Sequence, residues 1–491
     1  MMRRYVLFLL FFAFFVTGCA SITAQRVSAS FDRPKDCQEF FERVDEKVKE
    51  TKVRDASSAP VLGFPYLRTN RFLSALKNNL KNDQAKNQWV QWMQKLDLES
   101  RKKEIANLPE EKVLSLGFQE KETLMARISS CSSELLEVDL RQPEFHTILH
   151  PLVKVPDEYS VLMRTLGLYP LISLPVAMVT DESRKKMRAR FEPPLDKFPI
   201  EGEIKTFVPL RTTVVHEREI EKIMMESSRD PLGIPLPDKD QERRLVEALA
   251  PVLIQDVAAS YDRIGEVAWR KGRIEVNPQK PMVYYYFSHA FFKEEPILQI
   301  NYVFWYSERA GENPPSIEKG HLDGLTIRLS LDPQGKPFMV DVQNNCGCYH
   351  LFSPDRQQVE RIKSRPWMFD SFVAQWLPDV SGDVHLGLRM NSGWHQVQRV
   401  LAIKEISDPI RYELAPYDLL ETLPHEEGRR ESLFDERGIA KGSERIERFI
   451  LFSMGIPSIG SMRQRGHHAI ELIGQVHFDD PSLLDKNFSF K

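Results

Sequence analysis

Cysteine is scarce in this sequence: 491 residues carry five, and none falls in a repeated C-x-x-C, the strongest cysteine sign of a zinc site. Charge of one sign is lacking too. A formal net charge of −3 gives no electrostatic reason to expect nucleic acid as a partner. Beyond the first twenty residues no apolar run is long enough to span a bilayer. The nearest approach, "LGLYPLISLPVAMV" (166–179), is broken by Pro170 and Pro175 with Arg164 just upstream, and reads as core or docking surface. Familiar catalytic patterns are also missing. "HEREI" (216–220) and "HEEGR" (425–429) lack the second histidine of H-E-x-x-H, and "GIPSIG" (455–460) has one residue too many for G-x-S-x-G. "SALK" (74–77) stands without the companion motifs of penicillin-binding enzymes, and there is no Gly-rich phosphate loop. What remains is a globular composition, 42% hydrophobic and 28% charged, long enough for more than one domain.

The N-terminus is the most informative stretch. Arg3 and Arg4 precede an unbroken apolar run from Tyr5 to Val16, the length of a signal-peptide core and short for a membrane span. Val16-Thr17-Gly18-Cys19 follows directly. This stretch of about twenty residues resembles the lipobox of bacterial lipoproteins. The resemblance implies cleavage before Cys19, lipidation of its thiol, and a membrane partner reached through that lipid. Ala20 stands where proteins kept in the inner membrane carry an aspartate, which implies the periplasmic side of the outer membrane. Each buried acyl CH₂ contributes about 0.8 kcal/mol to such anchoring.

With Cys19 lipidated, four cysteines remain in an oxidising compartment, where pairing is favoured. Cys37 shares a helical face with Phe40, Phe41, Val44 and Val48, after a capping-box-like Asp36/Glu39. Cys131 lies on a similar stripe with Leu124, Ile128, Leu135 and Val138. A Cys37–Cys131 disulfide is one reading and two small buried thiols the other.

Along the chain, 1–18 reads as signal, 19–30 as tether, 31–150 as helical and 151–279 as mixed and proline-rich. The last region includes an apolar helix candidate, "ERRLVEALAPVLIQDVAAS", that must bend near Pro251. From 280 to 491 the chain is β-rich, dense in β-branched and aromatic residues between turn signals. The fold class expected is α+β, a helical N-terminal region followed by a mainly antiparallel sheet domain.

"NNCGCYHLF" (344–352) carries the chemistry worth weighing. If Asp332 and Gly335 close a β-turn, His321 faces Cys346 on the neighbouring strand. Cys346, Cys348 and His350 then share a face with His321, a Cys₂His₂ set of the kind zinc takes. Extended geometry works against this. At about 3.3 Å per residue Cys346 and His350 are about 13 Å apart, unless the chain bends at Gly347. The alternatives are a labile Cys346–Cys348 disulfide or close packing at a sheet corner. "HLDG" (321–324), with His385 or His395, offers a non-haem iron triad, although such oxygenases often need a cytosolic co-substrate. His289 reads as a core histidine. Arg463, Arg465, His467, His468 and His477 cluster in "GSMRQRGHHAIELIGQVHF" (460–478), suited to an anionic group or to a solvated turn.

Two functions follow. One is a lipid-anchored envelope protein, a binding or structural module for an envelope protein or glycan. The other is a zinc-dependent envelope hydrolase built on His321, Cys346, Cys348 and His350, with Asp323 as base and Arg463, Arg465, His467 and His468 receiving substrate.

Overall fold

The computed structural model describes residues 31–211, 217–365, 368–380, 384–426 and 428–491. Cys19, with the signal segment and the tether, lies outside the described residues. The chain divides into two compact units, Met1–Pro156 and Asp157–Lys491.

In the first unit, α1 (Lys35–Thr51) buries Cys37, Phe40, Phe41, Val44 and Val48, the i, i+3, i+4, i+7 spacing of one face. Its start departs from the capping box expected there. Pro34 occupies the cap position and Asp36 sits inside the first turn, where its charge meets the positive end of the helix dipole and Arg127 at 2.9 Å. α2 (Asp83–Asn107) shows no clean apolar stripe, because Asp97, Ser100, Arg101 and Glu104 are buried along with Trp89, Val90 and Met93. These charges are all partnered. Arg68, from the strand Phe64–Thr69, reaches Asp97 at 3.1 Å and Glu104 at 2.8 Å, and Arg101 returns to Asp97 at 2.8 Å. α3 (Lys121–Leu140) buries Leu124, Ile128, Cys131 and Leu135, and a disulfide joins Cys131 to Cys37. Arg33, before α1, is clamped by Asp139 of α3.

The second unit is built on a ten-stranded sheet. Its strands are β1 (Glu203–Pro209), β2 (Val252–Val257), β3 (Met282–Phe292), β4 (Glu295–Arg309), β5 (Gly320–Leu331), β6 (Pro337–Asn344), β7 (Leu351–Pro354), β8 (His385–Met390), β9 (Val397–Ile403) and β10 (Ile410–Pro416). They lie side by side as β7-β6-β5-β4-β3-β10-β1-β2-β8-β9. The sheet is mixed and not mainly antiparallel, since β10 runs parallel to both of its neighbours and β8 runs parallel to β2. The two stretches that differ in composition, 151–279 and 280–491, therefore share one sheet.

Both faces of this sheet are covered, which explains why β4 is an almost continuous apolar run. Alternate residues Ile300, Tyr302, Phe304 and Tyr306 join a core with Ile220, Ile223 and Met224 of the helix Glu217–Glu226 and Leu245 and Val246 of the helix Lys239–Ala248. On the other face Val303 and Trp305 pack with Val267 and Ile274 of a small hairpin and with Leu433, Phe434 and Met462. The period-two alternation of strand side chains thus feeds two cores.

Two local expectations are corrected. The apolar helix candidate ends at Ala248, and Val252–Val257 pairs as a strand of the sheet. Pro251 and the β-branched residues after it stop the helix where a bend was expected. The β5–β6 register is also shifted: Leu325 faces Asn344, and His321 faces Glu308 of β4. The expected β-turn does close, Gly335 N–H to the Asp332 carbonyl at 2.9 Å, but the Asp332 N–H then bonds to the Lys336 carbonyl at 3.0 Å, one residue further on. A bulge between Ser330 and Leu331 then shifts the ladder again, because an inserted residue resets every pair beyond it.

Cys131→Ser is expected to destabilise the first unit by about 2–4 kcal/mol, read as a lower urea midpoint. After denaturation without reductant, neither Cys37 nor Cys131 of the wild type should take up a maleimide; labelled peptides from both would count against the bridge.

Candidate functional site

β6 ends at Asn344, and the chain then folds into a tight turn. Gly347 N–H bonds to the Asn344 carbonyl at 2.8 Å and Asn344 N–H to the Cys348 carbonyl at 3.0 Å. Gly347 takes φ +86°, a left-handed conformation that suits glycine, and a β-carbon there would collide with the Ala469 carbonyl. Tyr349 follows with φ +56°. Cys346, Cys348 and His350 therefore do not line one extended face.

Their partners differ as well. Cys346 is 4% exposed, 4.0 Å from an Arg309 nitrogen, and its sulfur accepts from the Cys348 N–H at 3.4 Å. His350 gives or takes a hydrogen bond with Asp341 at 2.9 Å, and Arg328 makes a fork to the same carboxylate. His321 bonds instead to the Ile274 carbonyl at 2.9 Å. The four expected zinc ligands are dispersed among separate partners. Among the described residues no group of three or more His, Cys, Asp or Glu is placed to hold a metal ion.

Asp323 has a different role from the base expected of it. It is fully buried, forked by Arg309 at 2.9 and 3.0 Å and bonded to His395 Nδ1 at 2.8 Å. Burial alone would raise its pKa, but Arg309 and His395 hold it well below the usual carboxylate range. The other nitrogen of His395 reaches Asp262 at 3.1 Å, and the imidazole stacks on Tyr306 at 3.7 Å. Asp262 also accepts from Gly393 N–H and Ser392 Oγ. On its far side Arg309 binds Glu318 at 2.8 Å, which also accepts from Tyr349 Oη and Trp394 Nε1. A chain of alternating charge thus runs Asp262–His395–Asp323–Arg309–Glu318. Burial lowers the pKa of His395, yet its two carboxylate partners raise it above the usual histidine value on balance. With Asp262, Asp323 and His395 all closed off from water, this chain positions its neighbours and does not receive a substrate.

The C-terminal cluster is likewise internally matched. Arg465 is forked by Glu421 at 2.6 and 3.1 Å and bonded to Asp418. Arg463 is buried, donates to the Pro457 carbonyl and lies 3.7 Å from Glu158. His467 meets Glu158 at 2.8 Å. Burial, with Arg463 and His467 nearby, lowers His468 to about 3, so it is neutral near pH 7. Carboxylates thus already stand beside both arginines, while Arg463 Nε and His468 Nε2 are buried without a hydrogen-bond partner among the described residues. The iron triad fails for a similar reason, since Asp323 and His395 spend their polar atoms on one another and on Arg309 and Asp262.

Sequence reasoning missed Arg309, Glu318 and Asp262. One signal was available: "NYVFWYSER" ends a continuous apolar strand with an arginine, and a buried arginine calls for a carboxylate partner.

His395 gives a pH-dependent test. Its folded pKa exceeds the unfolded value of about 6.5, so its charged pairing stabilises fully below that pH and fades as pH rises through the folded value. His395→Ala should cost about 3–5 kcal/mol at pH 5.5, and less at pH 9. Melting curves of both proteins across that range measure the difference, and a penalty that grows with pH would contradict the assignment. No known protein family, curated protein or solved structure matches this chain.

Proposed function

We propose that this chain is a lipid-anchored protein of the bacterial cell envelope, anchored through Cys19 on the periplasmic side of the outer membrane. Its body is a binding module that makes a second contact with the bilayer surface. The lipobox-like order of Val16 to Cys19 supports the anchor. The bonded Cys37 and Cys131 fit the oxidising compartment that such an address implies.

One observation carries the binding reading. The helices Val161–Leu166 and Tyr169–Ala189 contain no buried residue from Val161 to Lys186, and no charged residue lies between Leu166 and Thr180. Leu171, Leu174, Met178 and Val179 are 66–75% exposed, at the i, i+3, i+7, i+8 spacing of one helical stripe. Both helices pack on the turn Phe452–Met454, next to Phe449 and Ile450, which are also exposed. Contiguous apolar surface of this kind marks an interaction site.

Its chemistry favours a bilayer. The side chains are aliphatic, with no polar groups to meet the hydroxyls of a glycan and few of the Tyr, Trp and Arg anchors that dominate protein interfaces. The cations that follow on the same helix are engaged within the protein, Arg184 and Arg188 at the Asp370 and Val373 carbonyls and Lys185 and Lys186 with Asp181 and Glu182, so the contact rests on the apolar stripe. No described helix is long and apolar enough to cross a membrane, so the contact is interfacial. The zinc-hydrolase alternative draws no support from the dispersed positions of His321, Cys346, Cys348 and His350.

Two measurements test the two halves separately. Cys19→Ser should abolish incorporation of labelled palmitate and release the chain from membranes, and unchanged labelling would remove the anchor. A chain beginning at Ala20, which carries no lipid, should float with vesicles of phosphatidylethanolamine and phosphatidylglycerol. Leu171→Asp with Met178→Asp should reduce that binding on the order of tenfold or more, given about 1.5–3 kcal/mol for each large apolar side chain buried. Equal flotation of variant and wild type, or none by either, would reject the bilayer contact.

A further inference from the structure

We propose that Cys346 and Cys348 form a thiol–disulfide exchange site, which closes into a disulfide within the turn by reducing a small disulfide such as oxidised glutathione. This inference is independent of the lipid anchor and of the bilayer contact.

The turn brings the two sulfurs together. Residues i and i+2 folded over a left-handed glycine keep their Cα atoms within the ~4.4–6.8 Å that a disulfide bridges. The Cys348 N–H already points at the Cys346 sulfur at 3.4 Å, and the Cys348 thiol is near enough to favour a Cys346 thiolate. The turn cannot open easily, because Gly347 lies against the Ala469 carbonyl and Asn345 is tied at both ends. Its N–H bonds to the Gly324 carbonyl at 2.8 Å, and its own carbonyl accepts from Arg463 N–H at 2.7 Å.

The surroundings differ for the two sulfurs. Cys346 is nearly buried, while Cys348 is partly exposed, so an incoming disulfide meets Cys348 first. Behind the pair stand fixed cations. Arg309 is 4.0 Å from the Cys346 sulfur and is held there by Asp323 and Glu318; the positive charge of Arg463 also acts on both cysteines. Burial opposes ionisation of Cys346 and the carboxylate of Asp323 adds to that, but the Cys348 thiol and Arg309 bring it down to about 7. Reactive cysteines sit in such electropositive, partly accessible places, whereas structural buried ones do not.

The exchange balances in two steps. Cys346 starts as the thiolate, which its lowered pKa makes accessible, and takes the proton of Cys348 as the Cys348 sulfur attacks one sulfur of R–S–S–R. The S–S bond of the small disulfide breaks, releasing one R–S⁻ and leaving a mixed disulfide between Cys348 and the other half. Cys346 then gives its proton to that thiolate and attacks the Cys348 sulfur, forming Cys346–Cys348 and expelling the second R–S⁻, which is protonated by solvent. One protein thiol and one thiolate are oxidised to a disulfide, and the small disulfide, with one proton from solvent, is reduced to two thiols. So small a ring makes the product bond readily reducible, so the site can run in either direction.

The test uses the full chain, lipidated or beginning at Ala20, equilibrated in buffers of reduced and oxidised glutathione, quenched in acid and alkylated. Mass spectrometry of the peptide spanning 346–348 is expected to show loss of two hydrogens with a midpoint inside the buffered range, while Cys37–Cys131 stays closed throughout. Cys346→Ser should trap one glutathione on Cys348, and Cys348→Ser should take up at least tenfold less. A wild-type pair that stays dithiol at every ratio would overturn the proposal, as would a folded Cys346→Ser that resists glutathione. If either variant fails to fold, the wild-type titration decides alone.

Discussion

Asp323 lies out of reach of water and Arg309 beside it is nearly so, and neither charge can be removed without stranding the other. An unpaired buried charge costs several kcal/mol, so everything around the pair is arranged to keep it matched. Asp323 sits opposite Tyr306 in the β4–β5 ladder, and Tyr306 in turn carries the ring of His395 on its face. His395 takes a left-handed backbone, φ +54°, to reach between two aspartates. Arg309, at the end of β4, fixes Glu318 and through it Tyr349 and Trp394. The conformation of the cysteine turn is therefore set at one end by this ion pair and at the other by the Ala469 carbonyl.

The two units handle buried charge in the same way. In the first, Arg33, Arg68 and Arg101 each meet carboxylates from distant parts of the chain; in the second, Arg309 and Arg328 meet those of neighbouring strands and loops and Arg465 that of Glu421. Arginine suits this role because its fork matches a carboxylate and its charge is held at any ordinary pH. These pairs specify geometry more than they add stability. The same logic places carboxylates beside Arg463, Arg465 and His467 in the C-terminal cluster. It also makes the uncharged, uncovered stripe on Tyr169–Ala189 stand apart from the rest of the surface.

Much of this architecture was legible in local pattern. The apolar stripes of Cys37 and Cys131 follow the helical period, and the β-branched and aromatic density after residue 280 marks strands of the sheet. What escaped depends on partners far apart in sequence. Val252–Val257 is a short apolar run, and such a run fits a buried helix or a buried strand equally well. Its strand character comes from β1 and β8, which flank it. Parallel pairing at β10 leaves no nearby turn to announce it. An offset of one residue at the turn and a bulge between Ser330 and Leu331 were enough to move His321 away from Cys346. At the site, Asp262 and His395 are 133 residues apart, and neither is unusual in its own neighbourhood.

The order of strands also governs when this unit can assemble. β10, the last strand of the sheet to be synthesised, lies between β3 and β1, with Ile410 paired to Phe207 and Leu414 to Val283. Until residues 410–416 are available, the β3–β7 meander and the strands β1, β2, β8 and β9 have no ladder between them. Each half then exposes an open edge, the condition under which nascent chains aggregate or recruit chaperones. Emergence of the chain in sequence order therefore cannot complete this sheet stepwise; closure waits for a segment near the C-terminus, and any truncation upstream of it leaves two incomplete sheets.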